Sequence, residues 1–410
     1  MSRVNKIIHS EKTFAGLMAA LLALLPLPYG FSTAALILLL TISLYSLKDH
    51  KPDLNKAYFI PMAFYMLMVV SVIWSNDRAQ AFRGLERQLA LVLIPLAFVM
   101  MPKLSRNIRN KVFYWFSQAL AVFALFFMLK AGFTYLQLGD SAIFFYHELV
   151  APLDLNAIYV SVFVALSCVF LMFEQKKNKR SIATLIILGL FLILLSSKAI
   201  ILSLTLLIAV GVIRRFNKRT AFILFALLGL GIVLILFTRN PIKDRFQVEI
   251  TASNLDEVFN KEEFGKVYYW TGTTIRLFQA RIFLEMLEED KLLFKGYGIN
   301  NSQPVIAKKH REYDLYKEFH NYNFHNQYIQ AFAELGLFGL LFLFLMLAVI
   351  LRQYIITNDI LWLALFFIMF VVFLTESYLW RQRGLYHFLL LYCILFKTAM
   401  NHKTEIIKEQ

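Results

Sequence analysis

The chain of 410 residues contains few cysteines and lacks several motifs that mark common enzyme classes. Its two cysteines, Cys168 and Cys393, lie far apart within apolar segments, so no disulfide framework is expected. No Walker pattern for nucleotide phosphates is present. The histidines show no H-x-x-x-H spacing and no neighbouring cysteine, which disfavours a metal site. A metal ion held by His310, His320 and His325 is therefore the weaker alternative.

Two further absences concern the membrane. The apolar segment from Phe14 to Tyr29 has no clear small-x-small cleavage site, and another apolar segment follows at once. We therefore interpret it as a first membrane helix rather than a signal peptide. No internal repeat is visible, whereas transporters usually contain repeats and paired charges at mid-membrane depth. A transporter or flippase is therefore only a distant alternative.

Long apolar runs dominate what is present. Hydrophobic residues make up 59% of the chain, including 40 Phe and 19 Tyr, whereas soluble domains are about 45–50% apolar. Runs of about 17–25 apolar residues recur, which is the length that crosses a bilayer as a helix. We predict an all-α polytopic membrane protein with about twelve transmembrane helices. The candidate spans are 13–29, 31–47, 57–74, 86–101, 112–137, 157–173, 182–196, 198–213, 220–237, 327–351, 358–376 and 385–398.

The net charge of +15 is explained by the connections between spans. Clusters such as KKNKR and IRRFNKR fall in every second connection, which predicts cytoplasmic loops and cytoplasmic termini. We therefore expect no nucleic-acid partner. One predicted outer connection breaks the pattern because it carries Arg78, Arg83 and Arg87. It is either a local exception or a basic patch that meets an anion.

The longest connection divides the chain into three parts: spans one to nine (1–237), a loop domain (238–326), and spans ten to twelve with a cytoplasmic tail (327–410). Loops of this length are usually functional or disordered. This one is rich in aromatic residues, which argues against disorder. It holds 13 basic and 13 acidic residues, so any anion it binds must meet particular side chains. We predict a partly helical periplasmic loop.

Within this loop the segment from Thr274 to Leu293 is predicted to be helical. Arg281 and Glu285 are four residues apart, the spacing of a surface ion pair. Arg276 falls instead on an apolar face with Phe283, where a guanidinium is costly without a partner. It either snorkels to water at the helix start or points into a site, where its planar fork suits phosphate.

The next signal is the stretch FHNYNFHNQYIQAFAELGLFGLL, residues 319–341. If a membrane helix starts after Asn326, then Gln327, Gln330 and Glu334 share one face. Polar groups that enter a membrane normally face the bundle interior or a watery cavity. His325 would lie at the mouth of that cavity, and imidazole can accept a proton near neutral pH. A histidine satisfied by backbone at the interface is the alternative.

HNQYIQAFAELGLFGLL strongly resembles the signature of the O-antigen ligase and polymerase superfamily, which reads His-Asn-x-Tyr and then a small-Glu-x-Gly block opening a membrane helix. Members carry an arginine near the start of a helix in a long periplasmic loop, followed by a Gly-x-Gly turn. Here Arg276 precedes Gly296 and Gly298. Members often show a Ser-Arg pair opening a span, where this chain has Ser197 and Lys198. Lysine keeps the charge but loses the bidentate fork.

The resemblance implies a membrane-embedded glycosyltransferase of the GT-C type in the bacterial inner membrane, working without metal or nucleotide. The donor would be a glycan on undecaprenyl diphosphate. The acceptor would be a hydroxyl of lipid A-core for a ligase, of another glycan for a polymerase, or of a protein for an O-oligosaccharyltransferase. The ligase is favoured. Membrane lipids surround the chain, and the oligomeric state is open.

The resemblance also implies roles for individual residues. His325 would be the general base for an inverting attack, and Arg276 would stabilise the diphosphate leaving group. His320, five residues earlier, leaves the choice of base open. Asn326 would orient His325, and Tyr328 and Glu334 would line the cavity. The candidate substrate-binding residues are Lys198, Arg281, Asn326, Tyr328, Glu334, Arg83, Arg87 and His320.

Overall fold

The computed structural model describes residues 10–215, 217–220, 241–265 and 267–399, except the side chains of 241, 242, 244–246 and 248. Within these residues the chain forms helices and turns and no strand. The α-helices are α1 (Glu11–Ala23), α2 (Tyr29–Ser46), α3 (Lys56–Ser71), α4 (Arg78–Gln88), α5 (Ala90–Met100), α6 (Arg106–Leu138), α7 (Tyr146–Val150), α8 (Ala157–Phe173), α9 (Lys179–Leu195), α10 (Lys198–Arg215), α11 (Pro241–Ala252), α12 (Leu255–Asn260), α13 (Gly272–Glu289), α14 (Gln303–Glu312), α15 (Gln327–Thr357), α16 (Ile360–Thr375) and α17 (Gln382–Ala399).

Three of these helices, α2, α6 and α15, are long and apolar enough to cross a membrane. The segment Tyr146–Leu153 and helix α8 meet at 93°, and together they would make a fourth span. The helical class and the presence of helices that suit a membrane are thus confirmed. The count of twelve spans and the sidedness of the loop stay predictions. The ninth predicted span, 220–237, lies almost wholly outside the described residues.

The main core lies among α1 to α10 and α15 to α17. Nearly every residue of α8 is buried, as is α17 from Gly384 to Thr398. A helix that is apolar all round is stable when other helices surround it. In contrast, α6 exposes Val122, Leu129 and Phe133, which is the surface that a lipid-facing helix presents.

A second core forms within the long connection. We call its described residues, 241–265 and 267–326, the loop unit. Phe264, Phe278, Ile282 and Met286 are buried at its centre, and Ala333 of α15 joins them. The aromatic composition predicted order in this segment, and its described part has an apolar core of its own. The contact with Ala333 fixes the loop unit against α15.

The loop unit also meets α15 at a break in the helix. Gly336 adopts φ +64°, ψ −160°, which is not helical. The break frees backbone groups that pair with the turn after α13: Tyr297 N–H donates to Ala333 O at 2.8 Å, and Gly298 N–H donates to Glu334 O at 2.8 Å. A Cβ at Gly296 would lie 2.4 Å from the backbone of Glu334. The Gly-x-Gly turn therefore serves close backbone packing in this structure.

Candidate functional site

His325 lies two residues before α15 and adopts the left-handed conformation, with φ +46°. Its backbone N–H donates to Asn323 Oδ1 at 2.9 Å. The next residue, Asn326, caps the helix because its side-chain oxygen accepts the N–H groups of Tyr328 (2.9 Å) and Ile329 (3.0 Å). Asn326 thus holds the backbone beside His325, and no hydrogen bond joins the two side chains within the described residues.

A carboxylate that the sequence analysis did not single out faces the His325 ring. Glu376 follows α16 directly and is only 5% exposed. Its Oε1 lies 3.4 Å from His325 Nδ1 and 3.2 Å from Arg276 Nη2. One feature of the sequence could have indicated it: Glu376 is an acidic residue at the end of the predicted span 358–376. Acidic residues in membrane spans usually face the protein interior or a watery cavity.

Arg276, near the start of α13, is held by three acceptors. Its Nε donates to Thr375 O and its Nη1 to Gly272 O, both at 2.7 Å, and Nη2 donates to Glu376. A guanidinium has five N–H donors, so one N–H on each terminal nitrogen stays without a partner among the described residues. The side chain is 27% exposed. Arg276 is therefore fixed in position, and two of its N–H groups remain available to a ligand.

Lys198 approaches the same helix turn through a second carboxylate. Its Nζ lies 3.0 Å from Glu249 Oε2, and Glu249 Oε1 accepts the backbone N–H of Thr273 at 2.6 Å. Burial pushes the pKa of Glu249 upward, but the hydrogen bonds from Thr273 and Lys198 outweigh it and lower the pKa to about 2. The carboxylate is thus charged at any ordinary pH. Lys198 and Arg276 are therefore both connected to the start of α13, and each lies beside a carboxylate.

Arg281 lies elsewhere in the loop unit. Its Nε donates to Glu285 at 3.1 Å, its Nη1 to the carbonyls of Val258 and Lys261, and its Nη2 to the Tyr313 hydroxyl. The predicted ion pair with Glu285 is thus present. The remaining contacts show Arg281 joining parts of the loop unit to one another, away from the Arg276 cluster.

The other candidates near α15 also have partners of their own. His320 Nε2 lies 3.0 Å from Leu315 O, and its ring lies 6.5 Å from that of His310. The Tyr328 hydroxyl donates to Phe370 O at 3.2 Å. Of the two alternative bases, only His325 lies beside Glu376. In the part of the chain that the structure describes, no group of three or more His, Cys, Asp or Glu could hold a metal ion.

A cavity of about 960 Å³ is lined in part by the segment that precedes His325, and we call it the arginine cavity. Arg83, Arg87 and Arg381 line it, together with Glu334 and Asn323, the residue that accepts the N–H of His325. The cavity therefore begins beside the segment that carries His325.

Glu334 lies at the edge of the arginine cavity and is almost fully buried. It accepts hydrogen bonds from Asn300 N–H (2.9 Å), the Ser302 hydroxyl (2.9 Å) and the Gln330 amide (2.8 Å). Gln330 and Glu334 thus share a face, as their spacing predicted. The carboxylate also joins α15 to the turn that follows Gly298.

Fold and site together define a helical membrane protein with an imidazole, a carboxylate and a guanidinium gathered at helix ends. Residues 182–344 match the family model for O-antigen ligase. The match spans less than half of the chain and confirms that this part of it resembles the O-antigen ligase superfamily. That family is glycosyltransferase-like, and its substrates are lipid-linked glycans. The matched range includes Lys198, Arg276 and His325 and ends before Glu376. No curated protein matches the chain.

Proposed function

We propose that this protein is an O-antigen ligase-like glycosyltransferase of the bacterial inner membrane. It moves a glycan from undecaprenyl diphosphate to a hydroxyl of lipid A-core. The observation that carries this proposal is the contact of His325 and Arg276 with one oxygen of Glu376. A base and a fixed cation are the two groups that transfer from a diphosphate needs. A polymerase or a protein O-oligosaccharyltransferase would use the same groups on another acceptor.

In the proposed step the acceptor oxygen attacks the anomeric carbon of the donor. The bond from that carbon to the diphosphate oxygen breaks, its electron pair leaves with the diphosphate, and the configuration inverts. The hydroxyl proton passes to His325 Nε2, because Nδ1 faces Glu376 and Nε2 has no hydrogen-bond partner among the described residues. The buried carboxylate holds the tautomer that leaves the lone pair on Nε2 and stabilises the imidazolium that forms.

The leaving diphosphate gains negative charge as the bond breaks, and cationic donors stabilise it. Arg276 offers the two N–H groups that no described residue accepts, and Lys198 is joined to the start of the same helix through Glu249. Because Glu376 and Glu249 hold the two cations in place beforehand, little reorganisation accompanies the reaction. Glu376 acts as a positioning residue for both His325 and Arg276.

The test is glycan transfer by the purified full chain with an undecaprenyl-diphosphate-linked oligosaccharide, lipid A-core and EDTA. Wild type transfers the glycan. Removal of a general base costs about 10²–10⁴-fold in rate, and we expect His325→Ala to fall in that range. Arg276→Ala should abolish transfer as well, because it removes the leaving-group cation.

His320→Ala is the matched comparison, since it removes an imidazole from the same segment. It keeps transfer if His325 is the base. Donor chains that lengthen without modifying lipid A-core would identify a polymerase with the same site. Failure of wild type to transfer to any acceptor, with carrier binding intact, would overturn the transferase assignment.

A further inference from the structure

The cations of this molecule differ in whether a carboxylate already neutralises them. Lys198 has Glu249 at 3.0 Å, and Arg276 has Glu376 at 3.2 Å. The three guanidiniums of the arginine cavity form no hydrogen bond or ion pair through their side chains within the described ranges. Glu86 and the buried Glu334 also line the cavity, so three guanidiniums face two carboxyl groups there. An anion that enters the arginine cavity therefore meets guanidiniums that no described carboxylate holds in an ion pair.

The three guanidiniums come from two separate elements. Arg83 and Arg87 are four residues apart on α4, so they project from the same face of that helix. Arg381 comes from the turn before α17 and lines the same cavity. Like charges at this helical spacing destabilise a helix, and a shared anion removes that repulsion. Arginine forks are well suited to phosphate, which they bind through paired N–H groups.

Part of the lining of the arginine cavity is apolar. Leu36 and Ile37 of α2 and Leu93 of α5 line it. Ile37 is 59% exposed, and α2 is apolar enough to cross a membrane. The apolar wall therefore continues onto a surface that suits lipid. A lining that combines guanidiniums with apolar side chains matches a ligand with a phosphate head and a hydrocarbon chain.

We propose that the arginine cavity binds the phosphate or diphosphate headgroup of a long-chain membrane lipid through Arg83, Arg87 and Arg381. A headgroup there lies beside the His325 segment, because Asn323 lines the cavity and accepts the His325 N–H. The donor's undecaprenyl diphosphate and the phosphates of a lipid A acceptor share this chemistry. The inference rests on the proposed function for its substrates, but binding is measurable without transfer.

The test measures equilibrium binding of three probes to the purified full chain in detergent: undecaprenyl diphosphate, diphosphoryl lipid A and the uncharged undecaprenol. The variants are Arg83→Gln/Arg87→Gln and Arg381→Gln. The control is Arg78→Gln, which removes one guanidinium from the helix that carries Arg83 and Arg87, at a residue that does not line the cavity. We expect Kd to rise at least tenfold for a phosphorylated probe in both cavity variants, with undecaprenol binding and the Arg78→Gln variant unchanged.

Arg83→Lys/Arg87→Lys separates binding from misfolding, because it keeps the charge and should restore part of the affinity. Weakening confined to undecaprenyl diphosphate assigns the cavity to the donor, and weakening confined to lipid A assigns it to the acceptor; both support the proposal. Unchanged Kd for both phosphorylated probes, or equal weakening in Arg78→Gln, overturns it. If the cavity variants weaken binding but the wild-type protein transfers no glycan, the lipid site stands and only the proposed transferase function is overturned.

Discussion

His325 Nδ1 lies 3.4 Å from Glu376 Oε1, although 51 residues separate them in the chain. Arg276, 100 residues before Glu376, contacts the same oxygen at 3.2 Å. One buried carboxylate thus joins the start of α13, the segment that leads into α15 and the end of α16. The imidazole and the guanidinium depend on it for their relative placement.

The first prediction concerns this carboxylate. Glu376→Gln keeps the side-chain shape but removes the charge that faces His325 and Arg276. We expect kcat for glycan transfer to fall by about 10²-fold, the cost of a small misplacement of reacting groups, with KM little changed. Glu285→Gln is the matched control, because Glu285 pairs with Arg281 within the loop unit. Equal losses in both variants would assign Glu376 a merely structural role.

The second prediction concerns the break in α15. At Gly336, φ is +64° and a Cβ would lie 2.3 Å from the backbone of Phe294. Gly336→Ala should lower the free energy of unfolding by about 3 kcal/mol, because it adds backbone strain and a backbone clash. Thermal unfolding in detergent measures this. Gly132→Ala, in α6 with nothing near the added methyl, should be neutral or slightly stabilising. Similar stability of the two variants would contradict the close approach.

The third prediction concerns the buried acceptor Glu334. Glu334→Ala leaves the Asn300 N–H, the Ser302 hydroxyl and the Gln330 amide without this acceptor. A buried donor left unsatisfied costs about 1–3 kcal/mol, so thermal stability should fall clearly. Glu334→Gln keeps one acceptor oxygen at the same volume and should lose less. An unchanged melting temperature for Glu334→Ala would show that water replaces the carboxylate.

The fourth prediction concerns pH and His310, which is fully buried in the loop unit. Burial lowers the pKa of His310 to about 4; a backbone hydrogen bond at Phe319 opposes this, and His320 and Arg311 add to it. The unfolded chain binds the proton at about pH 6.5. Between these two pH values the unfolded state binds more protons than the folded state. The contribution of neutral His310 to the free energy of unfolding is therefore fully present above about pH 6.5 and is lost as pH falls toward 4.

The expected loss at low pH is on the order of 3 kcal/mol, measured as the pH dependence of the melting temperature. His310→Gln removes the titrating ring and should flatten this dependence while lowering stability at neutral pH. His320→Gln should keep the slope. A flat profile in wild type would show that His310 does not stay neutral in the folded protein.

Several features of the site were predictable because they depend on nearby residues. The spacing within α15 placed Gln330 and Glu334 on one face, and they are hydrogen-bonded at 2.8 Å. The apolar surroundings of Arg276 required a partner, and the structure supplies Glu376. Two glycines predicted a tight reversal after α13. The close packing that this turn makes was not predictable, because its partner, the backbone at Glu334, lies on another helix.

The sequence by itself determined the helical membrane class and the order within the loop unit. It also indicated His325 and Arg276 as candidate site residues. Each rests on composition or on spacing along one segment, which the local chain encodes. Only the tertiary structure decided that Glu376 joins the two, and that Arg381 shares a cavity with Arg83 and Arg87. These partners lie 51 to nearly 300 residues apart. Their contacts follow from how helices pack against one another, which no single segment specifies.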